Sequence, residues 1–570
     1  MVDKHPDSPQ ELLDLTWSQV GPIAKELVEH PIQDANLESW LMDWSDLSRT
    51  ISETYKRRYV ASTVDTNDPL AQECYAAYLD DIHPNWLTVE QKLKKKLLAS
   101  GLQPQGLEIP LRNMRAEAAI YREANLPLLS EELKLCTEYD QIIGAQTVIW
   151  EGKEVTLMQL QPVFLEADRA KRERAWRLSA ERRLQDRLAL NDLWTRFMGV
   201  RRQIYTNANL PDFRAYKWQQ LLRFDYTPQD CASFHQAIEE VVVPAATRLY
   251  EKRRQKLGVQ SLRPWDLDFD LYGREPLTPY RETQELLDKT GVIFHKVDPQ
   301  LGDYYDAMRR GNLLDLENRK GKAPGGYCES FDLARQPFIF MNGVGINDDV
   351  LTLLHEGGHA FHAFEMAPLP FHSQTQITNE TAELASMSME LLASPYISDD
   401  QGGFYTPQDA ARARLNHLEV NLLFWPYMAV VDAFQHWIYE HHAAASDPAR
   451  CDTKWLELWQ RFMPGVDWSG LEDSLVTRWQ RQSHIYENPF YYVEYGLAQL
   501  GAAQIWRNAL TNQAKAVSDY RKALALGGTV SIPQMFAAAG AKFAFDSVTL
   551  REAITLMENT MHSLEQNLAG

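Results

Sequence analysis

The stretch Leu351–His362 reads LTLLHEGGHAFH, and it constrains the fold more than any other part of the chain. His355 and His359 stand four apart, with Glu356 between them. On a helix, residues i and i+4 project from one face. Two imidazoles stacked this way can grip one zinc ion at about 2.0–2.1 Å each. Glu356, one residue after the first imidazole, can reach a water on the open coordination position and take its proton. Asn347, Asp348 and Asp349 suit the cap and first turn of such a helix, and Val350, Leu351, Leu353 and Leu354 supply its apolar contacts. Gly357 and Gly358 do not fit a purely structural helix, where each costs about 1 kcal/mol against Ala. They read as space for another backbone to come close. The bland alternative is two core histidines at helical spacing, because HExxH also arises by chance.

Two histidines do not complete a catalytic zinc site, which usually has a third protein ligand and a water. The HExxHxxGxxH pattern fails, since His362 and Glu365 stand where it needs Gly and His. A carboxylate from a following helix is the other common solution. Ile377–Leu392, ITNETAELASMSMELL, is such a helix, with Thr378 and Asn379 as caps. It carries Glu380, Glu383 and Glu390. Small residues Ala382, Ala385 and Ser386 around Glu383 would let it pack close to the metal helix. Spacing and packing favour Glu383 as the ligand, with Glu380 as support. Glu390, two turns beyond on the same face, is placed to orient a ligand imidazole. Glu365 reads as a solvated surface carboxylate.

Charge and cysteine usage exclude several classes. A formal net charge of −20 argues against nucleic-acid or anionic-membrane partners. The one basic cluster, Lys92 and Lys94–Lys96, is interleaved with Leu93, Leu97 and Leu98 and reads as an amphipathic helix with a solvated face. Five scattered cysteines without CxxC spacing fit a reducing compartment, here the cytoplasm. The N-terminal MVDKHPDSPQELLDL has no apolar leader segment. The longest apolar run, Leu422–Val431, is too short to span a bilayer and contains Pro426, so it reads as a buried, Pro-kinked helix.

Residues 8–100 read as successive amphipathic helices, with starts at Ser8-Pro9 and Asp68-Pro69. Thr147–Trp150 and Val155–Leu157 flank Glu151–Glu154 as a β-hairpin. A long charged helix runs from after Pro162 to about Tyr205. Glu317–Gly326 is a loop by composition. Pro337–Asn342 is a short strand whose leading Pro suggests a sheet edge. Such an edge beside a metal could pair with an extended peptide.

Five blocks occur in order across residues 317–502: ENRKGKAPGGYC, PFIFMNGVG, TLLHEGGHAFH, AELASMSME and SHIYENPFYYVEYGLAQLGA. On these blocks the chain resembles the zinc oligopeptidases of the thimet oligopeptidase and oligoendopeptidase F family, and within it the bacterial Pz-peptidase type. The resemblance implies a mainly α, neurolysin-like fold, in which two helical halves enclose a deep channel with a small β-sheet near the metal. It implies one Zn²⁺ per chain, held by His355, His359 and Glu383, with Glu356 as general base. It implies a His and Tyr residues from the last block as donors to the oxyanion. The order of preference is His484 and Tyr495, then Tyr491, then Tyr486. Tyr492 reads as core packing. Asn488-Pro489 looks like the cap and start of the tyrosine-bearing helix.

The expected division is an N-terminal helical region over 1–205, carrying the hairpin near 147–157, and a catalytic region over 206–570. The expected activity is zinc-dependent cleavage of internal bonds in short peptides. Two alternatives stand beside it: a zinc carboxypeptidase, which needs an Arg or Lys clamp for the terminal carboxylate, and a non-catalytic zinc-containing peptide-binding protein.

Overall fold

The computed structural model describes residues 8–569. Met1–Asp7, part of the stretch read as lacking a leader, lie outside the described residues.

Caps set the helix starts where the sequence places them. Ser8 Oγ accepts from the Glu11 N–H at 3.3 Å, and Asp68 Oδ1 from Leu70 N–H at 2.9 Å, each just before a Pro at the first helical position. The first helices, up to Met114, close over their own apolar core of Trp40, Leu41, Trp44, Leu93 and Leu97. The lysine run follows from that packing. Leu93 and Leu97 are fully buried, while Lys92 and Lys95 point to solvent. Lys94 is tied to Glu90 and Glu117 at 3.3 and 2.7 Å.

The hairpin pairs β1 (Thr147–Trp150) with β2 (Lys153–Thr156) through Glu151 and Gly152, both with positive φ (50° and 81°). Two left-handed residues in a two-residue loop match the twist of the strands. The charged segment that follows breaks at Asp186 into helices Arg169–Gln185 and Arg187–Asn207.

A larger core joins the long helices Arg187–Asn207, Pro228–Leu257, Pro407–Glu440 and Tyr492–Leu524, with Trp194, Phe234, Trp425 and Val493 packed in one cluster. Pro426 lies inside the third of these, in a run where Leu422, Val430 and Val431 are all fully buried. Among the described residues no helix is long and apolar enough to cross a membrane.

A three-stranded sheet sits against these helices in the order β3 (Leu314–Glu317), β5 (Gln336–Gly343), β4 (Tyr327–Phe331). The strand bearing Pro337 is therefore the central one, not an edge. Pro337 is tolerated because it precedes the stretch that β3 pairs, which begins at Leu314 opposite Ile339. The edges are β3 and β4. The loop Glu317–Gly326 is pinned by Lys322, whose buried ammonium donates to Met341 O and Glu317 O at 2.6 and 2.9 Å.

A cavity of about 1470 Å³ runs from the hairpin side (Thr156, Leu157) past Trp459 to Leu351 of the HExxH helix and to His417 and Tyr427 of the Pro407–Glu440 helix.

Candidate metal and catalytic centre

The HExxH helix spans Asn347–Met366 and leaves the sheet through a tight turn. Asp349 Oδ2 accepts the N–H groups of Val344, Gly345 and Ile346 at 2.7–2.9 Å, and the Tyr280 hydroxyl at 2.5 Å. These bonds fix the helix start against β5. The two glycines have separate uses. A Cβ on Gly358 would lie 2.5 Å from Ser386 Cα and 2.6 Å from Ala385 O, so Gly358 lets the backbone of the Asn379–Ala393 helix approach. A Cβ on Gly357 would meet the ring of Phe294 instead, at 2.5 Å.

That close approach brings three ligand-type residues together. The donor atoms of His355, His359 and Glu383 all lie within 4.8 Å of one another. Glu383 Oε2 is 3.4 Å from His355 Nε2 and 3.9 Å from His359 Nε2. Bonds of about 2.0–2.1 Å in a tetrahedron put donors about 3.3–3.4 Å apart, so this trio fits a zinc ion with small adjustment. Ser386 Oγ donates to Glu383 Oε2 at 2.9 Å. Burial opposes ionisation of Glu383, but the His355 and His359 imidazoles hold its carboxyl below the ordinary value.

Glu390 does what its place on the helix implies. His355 Nδ1 donates to Glu390 Oε1 at 2.6 Å, and His417 Nε2 bonds Glu390 Oε2 at the same distance. A carboxylate can only accept, so the His355 proton sits on Nδ1 and its Nε2 lone pair is left for a ligand. His417 comes from the Pro407–Glu440 helix, and no local signal in the sequence points to it. Glu356 is buried (7% exposed). Burial pushes its carboxyl up to about 7, with Glu383 and Glu390 adding and His355 opposing.

Three residues of the last block gather beside these groups. The rings of Tyr491 and Tyr495 are 5.0 Å apart, and His484 lies 5.6 and 6.4 Å from them. Burial and then the Glu383 charge push the Tyr495 phenol up to about 12, so it stays protonated and able to donate. The His484 tautomer is fixed from behind. Tyr427 donates to Gln482 Oε1 at 2.6 Å, and Gln482 Nε2 then donates to His484 Nδ1 at 2.8 Å. With Gln482 Nε2 as the donor, the proton of a neutral His484 sits on Nε2.

Other expected residues go elsewhere. Tyr486 is not brought to the site: it is fully buried, stacked on Trp479 (5.8 Å, 4° between planes) and Tyr139 (4.6 Å). Tyr492 packs on Phe424, Tyr427 and His484. Glu380 turns away from the histidines, accepting from the Tyr226 hydroxyl at 2.7 Å and lying 3.8 Å from Arg223. Glu365 is not a solvated carboxylate but accepts from Arg521 Nε at 2.7 Å, with 12% side-chain exposure. His362 is buried with neither ring nitrogen bonded.

The helix expected at Asn488-Pro489 begins later, at Tyr492. Phe490 takes a left-handed φ of 70°, which is unfavourable for a side chain of that size. It is held there by its N–H donating to Gln435 Oε1 at 3.1 Å and its carbonyl accepting from Arg223. This bend aims Tyr491 at the site.

A mainly helical chain with two small sheets, an HExxH helix and a third carboxylate from the next helix has the architecture of a zincin. A profile of Peptidase family M3 matches residues 164–553, and the chain belongs to that family. It is 27% identical to a solved structure of Pz peptidase A with an inhibitor, at a TM-score of 0.85, covering 98% of both chains. It is 25% identical to oligopeptidase PepF of Bacillus subtilis over 236 residues, 38% of this chain and 32% of that protein. It is 24% identical to an oligoendopeptidase F homolog of Lactococcus lactis over 341 residues, 57% of this chain and 52% of the relative. The chain thus spans about a third and about a half of the curated relatives it matches.

Proposed function

We propose that this chain is a zinc-dependent endopeptidase that hydrolyses internal bonds of short peptides. The observation that carries the reading is the convergence of His355, His359 and Glu383 with buried Glu356 one residue from the first imidazole. The printed names of the relatives, oligopeptidase and oligoendopeptidase, support the substrate class. The cavity has room for an extended peptide and comes up to the site at Leu351, one turn before His355, and at His417, which bonds Glu390. Edge strand β4, with Cys328 close enough to Glu356 to feel its charge, offers main-chain groups for that peptide to pair with. Five free thiols suit a reducing compartment such as the cytoplasm.

A zinc ion held by His355, His359 and Glu383 would supply a Lewis acid that polarises the peptide carbonyl and acidifies water. Glu356 takes the proton of the attacking water as the carbon–oxygen bond forms. It then delivers that proton to the leaving amine as the carbon–nitrogen bond breaks. The tetrahedral intermediate carries an oxyanion, to which His484 Nε2–H and the Tyr495 and Tyr491 hydroxyls donate. Glu390 holds His355 with its Nε2 lone pair facing inward.

The test is an end-blocked, internally quenched peptide of about ten residues, long enough to reach along the cavity at about 3.3 Å per residue, assayed with metal content. Wild type should cut it internally. Glu356→Gln should keep one metal per chain and lose about 10²- to 10⁴-fold in kcat. A blocked peptide that survives while a free C-terminus is trimmed would replace this reading with a carboxypeptidase. Full activity of the variant would remove Glu356 from its role.

A further inference from the structure

The basic groups on the cavity wall are of two kinds. Arg274 and Arg412 are both paired with Asp270, at 3.1 and 3.2 Å, and Arg253 Nη1 donates to Phe269 O at 2.7 Å. Arg183, Arg478 and Arg481 line the same cavity and differ. Among the described residues no carboxylate lies within 4.0 Å of any of their guanidiniums. They crowd one another instead. Burial and then the Arg481 charge push Arg183 down to about 10. Burial, then Arg481, hold Arg478 well below its ordinary value, with Arg183 adding. Arg478 Nε is buried with no hydrogen-bond partner. Its guanidinium is clasped by Trp459 and Trp468, 4.7 and 5.0 Å from the ring centres, which fixes its direction. Asp268 feels Arg253, Arg481 and Arg478 but pairs with none of them.

Arg183 and Arg478 are half-buried and Arg481 is exposed; unpaired charge at the two half-buried positions lowers stability, and Asp268 offsets it only at a distance. A chain with net charge −20 has carboxylates to spare for neutralising them, and here it does not use them. Departures of this kind concentrate where a ligand completes the site. Guanidinium forks match a carboxylate with two parallel hydrogen bonds.

The cluster is also close to the catalytic groups. Gln482 follows Arg481 and bonds His484 at 2.8 Å. Successive Cα atoms are about 3.8 Å apart, so the Cα atoms of Arg481 and His484 are at most about 11 Å apart. An extended peptide covers that span in about three residues.

We propose that Arg183, Arg478 and Arg481 form a subsite for a carboxylate of the bound peptide, carried a few residues from the scissile bond by its C-terminus or by an acidic side chain. The inference rests on the peptidase reading above, and it makes the preferred substrates anionic short peptides.

The test uses three peptides with one shared cleavage core, followed by mass spectrometry. One ends in a free carboxylate about three residues from the cut bond. The second is its amide. The third is the amide with Glu at that terminal position. Wild type should cut at least one carboxylate-bearing peptide with kcat/KM about 10- to 100-fold above the neutral amide. A gain for the free terminus alone assigns the subsite to the α-carboxylate, and a gain for the Glu peptide assigns it to acidic side chains. Arg478→Gln and Arg481→Gln should abolish the gain and still cut the neutral amide at the wild-type rate, which also shows that they fold. Equal cleavage of all three by wild type, or equal slowing of all three in the variants, would overturn the subsite. If wild type cuts none, the peptidase reading fails separately. Calorimetry on the uncut peptides then decides the subsite, which stands on tighter binding of a carboxylate form and falls on equal binding.

Discussion

Among the described residues, two clusters of three potential ligands bring histidine and carboxylate together, and they are opposites. In the first, His355, His359 and Glu383 converge. In the second, the donor atoms of Cys231, Asp432 and His436 also lie within 4.8 Å of one another, fully enclosed between the Pro228–Leu257 and Pro407–Glu440 helices. What differs is the group behind the imidazole. Glu390 accepts from His355 Nδ1, so Nε2 presents a lone pair. Arg214 Nη1 lies 3.3 Å from His436 Nδ1, and a guanidinium can only donate. The proton of His436 is thereby sent to Nε2, which faces Asp432 Oδ2 at 3.4 Å, while His235 Nε2 bonds the same oxygen at 2.7 Å. On the proposed reading, the first cluster's free lone pair suits it to a cation, whereas the second cluster's N–H groups face a buried carboxylate. Proximity of donors does not by itself define a metal site, because the charge one bond further out decides the tautomer.

The largest effect that tests this contrast is Glu383→Gln. It should empty the first cluster, taking metal content from one per chain to none and turnover to background. Cys231→Ser should leave the metal count at one. Two metals per wild-type chain would break the comparison. Next comes Glu390→Gln, which removes the acceptor that fixes His355. Metal affinity should fall about 10- to 100-fold, measured by competition with a chelator. Asp432→Asn belongs to the other side. It should leave metal affinity unchanged and cost about 1–3 kcal/mol in urea unfolding, since the buried imidazole N–H groups facing it lose their charged acceptor. Acid should reproduce part of that loss. Burial opposes ionisation of Asp432, but His436 and His235 hold its carboxyl well below the ordinary range. Its stabilisation is complete above the unfolded value of about 3.9 and fades as pH drops below it toward the lowered native value. The urea midpoint of wild type should therefore fall below about pH 4, and the Asp432→Asn curve should be flatter there.

The first cluster was legible because its parts are local. HExxH needs only a helix, and Glu383 follows from one further helix whose small residues allow close packing. Glu390 lies on that same face. What the sequence hid depends on contacts distant along the chain. His417 reaches Glu390 from another helix, and Arg223 and Gln435 hold Phe490 in the bend that aims Tyr491. Tyr486 and His484 belong to one short helix, Ser483–Tyr486, yet one enters the aromatic core and the other faces the tyrosines. Only the surrounding packing separates two such neighbours. Pro337 points to an edge in the sequence, yet its strand is central, because a missing N–H excludes one position from pairing and not a whole strand from the centre of a sheet.

The smallest effect is the sharpest test of the tautomer argument. Arg214 also pairs with Glu440, but their side chains are 18% and 46% exposed, so the pair contributes at most about 1 kcal/mol. Arg214→Met should therefore unfold nearly as wild type does. It would, however, free Nδ1 of His436 to take the proton and leave Nε2 as a lone pair beside Asp432 and Cys231. With cobalt(II), the variant should take up a weak second equivalent and show a near-ultraviolet sulfur-to-cobalt band. That band should be absent from wild type, whose first cluster has no thiolate, and should vanish again when Cys231→Ser is added. A wild-type protein that already shows the band would mean that Arg214 does not control His436, and that the two clusters differ in degree rather than in kind.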